Sequence, residues 1–378
     1  MLRRALGPGA YTDLVQVAFD EQIFALQEYG GISRLFTELA RQYLQDPSLD
    51  VELLPLNAPV INRYALDDRQ ISTALGLRQT RHEYYSLLRY LCRLMPRPGN
   101  DIVHNTFYLP HGLSGYPGAK RVITVYDMIP ERLPQTRRRL DLLTLKHRYV
   151  MNADHVICIS DATKADLLAT YGDIDVPISV VHLGVDARFR PGVPRFTTLP
   201  DNYILFVGNR GQYKDAEVLL RAFSELAKAH PDITLLFVGG GSFTAAEERQ
   251  LAERGIVDRV EQLALTDDAM PAAYGNALMT VFPSRFEGFG LPALESMACG
   301  VPTILARATS LPEVGGNAAV YFTPGVVHEL VEVISMLLTD PSARSQRSSA
   351  GIERASAFTW HKCAQETADV YSAVLNES

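Results

Sequence analysis

The run Tyr203-Ile204-Leu205-Phe206-Val207-Gly208 decides the architecture: five apolar residues end on a glycine, and 31 residues later the chain repeats the form as Thr234-Leu235-Leu236-Phe237-Val238-Gly239. A short apolar run without alternation suits a strand buried on both faces of a parallel sheet. Ala277–Phe282, Thr303–Ala306 and Ala319–Phe322 supply further strands, with helical patterns near 215–230, 244–254, 292–299, 326–339 and 361–375. The first half has the same rhythm. Its strands are read at Leu14–Phe19, Val51–Leu54, Ile102–His104, Arg121–Val125, His155–Ile159 and Ser179–His182, and its helices from Gly30 to about 45 and near 81–95, 134–152 and 161–171. Between the halves, Asp186–Asn202 holds three prolines and no apolar period, so it reads as a linker. The expectation is an α/β chain of two doubly wound, Rossmann-like domains, 1–190 and 191–378. The last helix is expected to pack back on the first domain, and ligands to sit in a cleft between the domains, at the carboxyl ends of the strands.

The 378 residues exceed what one core usually organises, and with 47% hydrophobic and 21% charged residues the chain has enough apolar material for two. The net charge of −7 is uneven, with 22 basic against 21 acidic residues up to 190 and 14 against 22 beyond it. An acidic chain is a poor general nucleic-acid binder, because duplex affinity rests on lysines and arginines that neutralise phosphates. One stretch departs from this. Arg132, Arg137, Arg138, Arg139, Lys146 and Arg148 crowd into seventeen residues with Asp141 as the acid after Arg132. That face is a candidate for an anionic partner such as an acidic membrane surface, against the plainer reading of a solvated helix. Cys92, Cys158, Cys299 and Cys363 are too far apart for CxxC pairs, and no apolar run reaches the ~18 residues of a membrane span. A reducing cytoplasm is therefore expected, with peripheral contact at the inner membrane face as the variant.

Chemistry concentrates in Pro283-Ser284-Arg285-Phe286-Glu287-Gly288-Phe289-Gly290-Leu291-Pro292, continued by Ala293-Leu294-Glu295-Ser296-Met297-Ala298-Cys299-Gly300. A strand ends near Phe282, a glycine-bearing loop follows, Pro292 suits a first helical turn and Gly300 suits a helix stop. The amides of Phe289, Gly290 and Leu291 then point out of a helix start, where the dipole favours a phosphate or a polarised hydroxyl. Glu287 belongs to the loop and Glu295 to the helix, so the two carboxylates can accept hydrogen bonds from different parts of one polyhydroxylated ligand. Gly208-Asn209-Arg210-Gly211-Gln212-Tyr213-Lys214-Asp215 places two cations after another strand, a planar fork and a point charge suited to a diphosphate.

Glu287 and Glu295 in this setting resemble the E-x7-E motif of glycosyltransferase family 4, whose members are retaining enzymes of the two-domain GT-B fold that use nucleotide-sugar donors. The resemblance runs over nearly the whole chain. It implies that Glu287 addresses the donor sugar and Glu295 the ribose, with Gly288, Phe289, Gly290 and Leu291 lining the donor. It also implies that Arg210 and Lys214 clamp the diphosphate and that Gly30 and Gly31 let backbone approach the donor phosphates. Asp215 stands where relatives often carry Asn. Thr124-Val125-Tyr126-Asp127-Met128-Ile129-Pro130-Glu131 is similar to the family's T-x-H-D-x-x-P element, with Asp127 as the matching acid and Tyr126 in place of the common histidine. Ser160 matches a family serine, with an N-cap as the plainer and favoured reading.

Catalytic roles are thus expected for Asp127, Arg210, Lys214 and Glu287, and Tyr126, His104, Arg137 and Arg138 are candidate acceptor or sugar contacts. No metal or other cofactor is expected. Asp173-Ile174-Asp175 spells DxD but lies in a loop with few further oxygen ligands. The Arg-x-x-Tyr-Lys form of the clamp looks like that of mannosyltransferases using GDP-mannose, which makes GDP-mannose the favoured donor and UDP-sugars the next. The acceptor is expected to be a glycan or a lipid-linked acceptor. A sugar-nucleotide epimerase of related architecture and a non-catalytic sugar-nucleotide-binding protein are the rival readings.

Overall fold

The computed structural model describes residues 14–80, 101–110, 112–113, 116–136 and 140–376. The expected helix near 81–95 lies outside them. Two compact units emerge, one formed by Met1–Ile159, Thr163–Gly184 and Trp360–Ser378, the other by Ser160–Ala162 and Val185–Thr359.

The first unit holds the strands β1 (Val15–Phe19), β2 (Val51–Leu53), β3 (Pro59–Val60), β4 (Arg78–Gln79), β5 (Ile102–Asn105), β6 (Lys120–Val125), β7 (His155–Cys158) and β8 (Ile178–Val180). Six make one parallel sheet in the order β2-β1-β5-β6-β7-β8, while β3 and β4 pair separately. The helix Gly31–Gln45 buries Leu35, Phe36, Leu39, Ala40 and Tyr43, a 3.6-residue stripe. Against it packs the last helix, Trp360–Asn376, where the hydroxyl of Tyr43 donates to the carbonyl of Ala364 at 3.1 Å.

The second unit contains β9 (Tyr203–Val207), β10 (Thr234–Val238), β11 (Val260–Leu263), β12 (Met279–Phe282), β13 (Thr303–Ala306) and β14 (Val320–Phe322), all parallel, in the order β11-β10-β9-β12-β13-β14. Tyr203–Phe206 and Leu235–Val238 are buried, as their unbroken apolar runs require. The helix Ala216–Leu226 packs against the helix Val327–Thr339 and buries Val218, Leu219, Ala222, Phe223 and Leu226, about 1.5–3 kcal/mol for each of the larger side chains. Asp186–Asn202 carries neither helix nor strand. Chain order reverses between β9 and β12, and the loops leaving these two strands flank the point where doubly wound sheets bind ligands.

Candidate active site

The loops after β9 and β12 are stitched together by charge. Lys214, ending the single turn Gln212–Lys214, donates from Nζ to Oε1 of Glu287 at 2.6 Å, with the two side chains 16% and 12% exposed. One residue along, Asp215 accepts from Nε of Arg285 at 2.6 Å, and the amide of Arg285 donates to the carbonyl of Tyr213 at 2.8 Å. Asp215 sits at φ +50°, a left-handed position that Asn and Asp tolerate better than other side-chain-bearing residues. The Asp in place of Asn thus keeps the backbone and adds a partner for Arg285.

The Glu287–Gly290 loop is held from three sides. The amide of Glu287 donates to Oγ1 of Thr309 at 2.9 Å, and Oγ of Ser310 donates to the carbonyls of Glu287 and Phe289 at 3.0 and 2.9 Å. Oγ of Ser160, fully buried, donates to the carbonyl of Gly288 at 2.6 Å. Its hydroxyl thus secures the glutamate loop, where the sequence favoured an N-cap. Gly290, at φ +109°, turns the chain into the helix Leu291–Ala298, and a Cβ there would come within 3.0 Å of Leu311. Leu291 opens that helix, so its amide has no intrahelical acceptor, and Pro292 needs none. Glu295, one turn in and 8% exposed, accepts a hydrogen bond from the hydroxyl of Tyr274 at 3.0 Å. The two glutamates therefore stand on loop and helix, as their spacing implied.

Arg210 is placed otherwise than the sequence suggested. Its Nε donates to Glu247 at 2.6 Å, and its terminal nitrogens reach the carbonyls of Gly239, Gly241 and Ser242 at 3.0–3.1 Å. The guanidinium also lies 4.7 Å from the centroid of Phe243, and the side chain is 6% exposed. Gly239, Gly240 and Gly241 all have positive φ, and a Cβ on Gly240 would meet the guanidinium at 2.9 Å, so this glycine turn is wrapped around the arginine. The arginine also holds the carboxyl of Glu247 well below its ordinary 4.5, at about 2. Here Lys214 meets Glu287, while Arg210 serves the turn after β10. A cavity of about 360 Å³ opens beside Arg210, Phe243 and Glu247, and neither Lys214 nor the two glutamates line it.

In the first unit, Gly30 precedes the helix Gly31–Gln45 with an extended backbone, and the side chain of Gln27 crosses where a Cβ would stand. Asp127 uses Oδ1 to accept the amide of Ile129 at 2.9 Å. Two candidate substrate contacts are corrected. Tyr126 is 6% exposed and spends its hydroxyl on the carbonyl of Thr106 at 2.8 Å, so it closes the core. His104 is 1% exposed, with Nδ1 2.7 Å from the hydroxyl of Tyr371 and Nε2 2.8 Å from Oγ1 of Thr124. Burial lowers its pKa from 6.5 to about 3, which keeps it neutral. Both are architecture rather than substrate contacts.

The basic run also divides. Lys146 is 5% exposed and pairs at 3.0 Å with Glu131, while Arg132 pairs with Asp166 at 3.2 Å. Neither belongs to an unpaired cationic face. Arg148 is exposed, and Arg137, Arg138 and Arg139 lie outside the described residues. Asp173 and Asp175 are exposed loop residues.

Sequence reasoning passed over one cluster. Asp20, after β1, is 1% exposed and accepts from Nδ2 of Asn105 at 2.7 Å, from the amide of Thr106 at 3.0 Å and from the side chains of Gln22 and Thr106. Burial, then the neighbouring charge of Glu21, raises its pKa above the ordinary 3.8. The only sequence signal is a run of polar residues directly after an apolar strand.

With this geometry in hand, comparison with known proteins gives one family. The sequence model described as glycosyl transferases group 1 matches residues 195–354, and that described as glycosyltransferase family 4 matches 29–189. The chain is 30% identical over 317 residues to a D-inositol 3-phosphate glycosyltransferase of Thermobifida fusca, covering 73% of this chain and 70% of that protein. It is 29% identical over 280 residues to O-antigen chain mannosyltransferase B of Escherichia coli (70% and 72% covered), and 28% identical over 401 to an MMP alpha-(1->4)-mannosyltransferase of Mycolicibacterium hassiacum (98% and 95%). Among solved structures, Anabaena HepE in complex with UDP and glucose superposes with a TM-score of 0.74 at 19% identity, covering 95% of this chain and all of that one. The chain belongs to glycosyltransferase family 4 and has its GT-B fold of two Rossmann-like domains. It is a glycosyltransferase, related to mannosyltransferases. Among the described residues, no helix is long and apolar enough to cross a membrane.

Proposed function

We propose that the chain transfers mannose from GDP-mannose, with retention of configuration, to a hydroxyl of a glycan or lipid-linked acceptor in polysaccharide or glycoconjugate synthesis. The observation that carries this reading is the Lys214–Glu287 pair, where the strand order reverses, with Glu295 one turn inside the adjoining helix. The ammonium of Lys214 is the charge that offsets the departing diphosphate, Glu287 holds hydroxyls of the hexose, and Glu295, oriented by Tyr274, holds the ribose. The start of the helix Leu291–Ala298 adds backbone donors and the positive end of its dipole. Arg210 joins this set only by giving up Glu247, so Lys214 is the principal cation. The first unit binds the acceptor and carries Gly30, Gly31 and the catalytic candidate Asp127. Retention follows when the acceptor oxygen bonds to the anomeric carbon on the face the diphosphate leaves, passing its proton to a leaving phosphate oxygen.

The names of two relatives support mannose, as does the Arg-x-x-Tyr-Lys spacing. A donor panel of GDP-mannose and UDP-sugars, with mass detection of nucleotide and product, tests it. GDP and a mannosylated product are expected; release of UDP, with GDP-mannose left intact, overturns the donor assignment. Activity is expected to survive EDTA, because Lys214 supplies the charge a metal would. A strict divalent requirement would contradict that and direct attention to Asp173 and Asp175.

A further inference from the structure

Among the described residues, four that are not glycine have positive φ: Asp50, Asn57, Asp215 and Thr309. Three are Asp or Asn, which tolerate the left-handed region. Thr309, at φ +46°, is β-branched, and its Cβ substituents crowd the backbone there. Strain of this kind persists where the surroundings over-determine it, and it gathers at functional sites. The hydroxyl at this strained position has a defined task. Its Oγ1 accepts the amide of Glu287 at 2.9 Å, and the next residue, the fully buried Ser310, donates to the carbonyl of the same Glu287 at 3.0 Å. Two adjacent residues of the loop between β13 and the helix Leu311–Gly315 thus hold the peptide groups on either side of one Cα. Fixing both peptide planes fixes the Cα–Cβ direction, and the carboxylate carried that way meets Lys214 at 2.6 Å.

We infer that Thr309 is a positioning residue for Glu287, holding its carboxylate where the donor's sugar hydroxyls arrive; this rests on the reading of Glu287 as the sugar-contacting glutamate. A threonine that served only the folding of its own loop would not distinguish a sugar nucleotide from the free nucleotide. Thr309→Val keeps the shape and the branch but removes the acceptor, whereas Thr309→Ser keeps the hydroxyl and sheds the branch. Both variants, Glu287→Gln and the Thr309→Val/Glu287→Gln double variant are compared by kcat, KM and calorimetry with GDP and GDP-mannose, or with the matching pair for whichever donor turns over.

Thr309→Val is expected to lower kcat/KM by roughly tenfold to a hundredfold, the scale for misaiming a group by a fraction of an ångström to an ångström. It should weaken sugar-nucleotide binding and leave free-nucleotide binding within about twofold, while Thr309→Ser stays within about threefold of wild type throughout. On the Glu287→Gln background the same change should add little, because the two residues act as one unit. Equal losses for both ligands, or a full additional loss in the double variant, would overturn the inference. If Thr309→Val does not fold, Thr309→Gly, which relaxes the backbone and lacks the hydroxyl, must show the same selective loss. A Glu287→Gln chain that binds both ligands as wild type does would instead remove the role of Glu287 itself.

Discussion

Both sheets reverse their strand order once, and both place polar side chains at the carboxyl ends of the strands beside the reversal, but the two clusters are finished differently. In the first unit, the carboxylate of Asp20 lies out of contact with water and takes its hydrogen bonds from Gln22, Asn105 and Thr106. In the second, Lys214 and Glu287 form an ion pair whose side chains remain 16% and 12% exposed. A fully enclosed polar group is tolerated only when its hydrogen bonds are made inside the protein, which turns it into architecture. A partly exposed pair of opposite charges keeps its chemistry available. The topology offers the same place twice, with the carboxylate of Asp20 enclosed in one unit and the Lys214–Glu287 pair partly exposed in the other.

The largest expected effect is at the accessible cluster. Lys214→Ala should slow nucleotide release by roughly 10²-fold or more, the scale for removing one preorganised charge stabiliser. Near-normal turnover would remove the lysine from the site. Arg210→Ala comes next and sharpens the contrast, since its guanidinium is held by Glu247 and the glycine turn. It should cost less than about tenfold in rate and lower the melting temperature, as expected when buried acceptors lose their donor. A rate loss matching that of Lys214→Ala would show that the guanidinium leaves Glu247 to meet the diphosphate.

The smallest effect is a slope. The pKa of Asp20 is raised by burial above the ordinary 3.8, so the stability linked to its protonation is full below that value and is lost as pH rises through the raised one. Asp20→Asn should flatten this part of the pH dependence of thermal unfolding, as followed by calorimetry. An unchanged slope would place the titration elsewhere.

What was legible in the sequence was local. Tyr203–Gly208 and Thr234–Gly239 announced their strands because a buried parallel strand is one apolar run, and Asp161–Tyr171 emerged as the expected helix. Val260–Leu263 was missed because an edge strand with Glu261 and Gln262 carries no such run. The helix Pro341–Ser356 was missed because its start signals, Asp340 as N-cap and Pro341, precede a largely polar stretch. At the site, Glu287 and Glu295 could be read from one continuous string. The partners of Arg210, the Thr309–Ser310 hold on Glu287 and the enclosure of Tyr126 and His104 all join residues 20 to 267 positions apart. Spacing along the chain does not report such meetings, and a family motif names a residue without saying what already occupies its hydrogen bonds.

The central claim divides the donor between two glutamates, and one calorimetric comparison tests it most directly: GDP and GDP-mannose titrated into wild type, Glu295→Gln and Glu287→Gln. Glu295→Gln should weaken both ligands, because the ribose is common to them. Glu287→Gln should weaken GDP-mannose and leave GDP nearly untouched. Equal losses of both ligands in both variants would contradict the division and reduce the two carboxylates to supports of the fold.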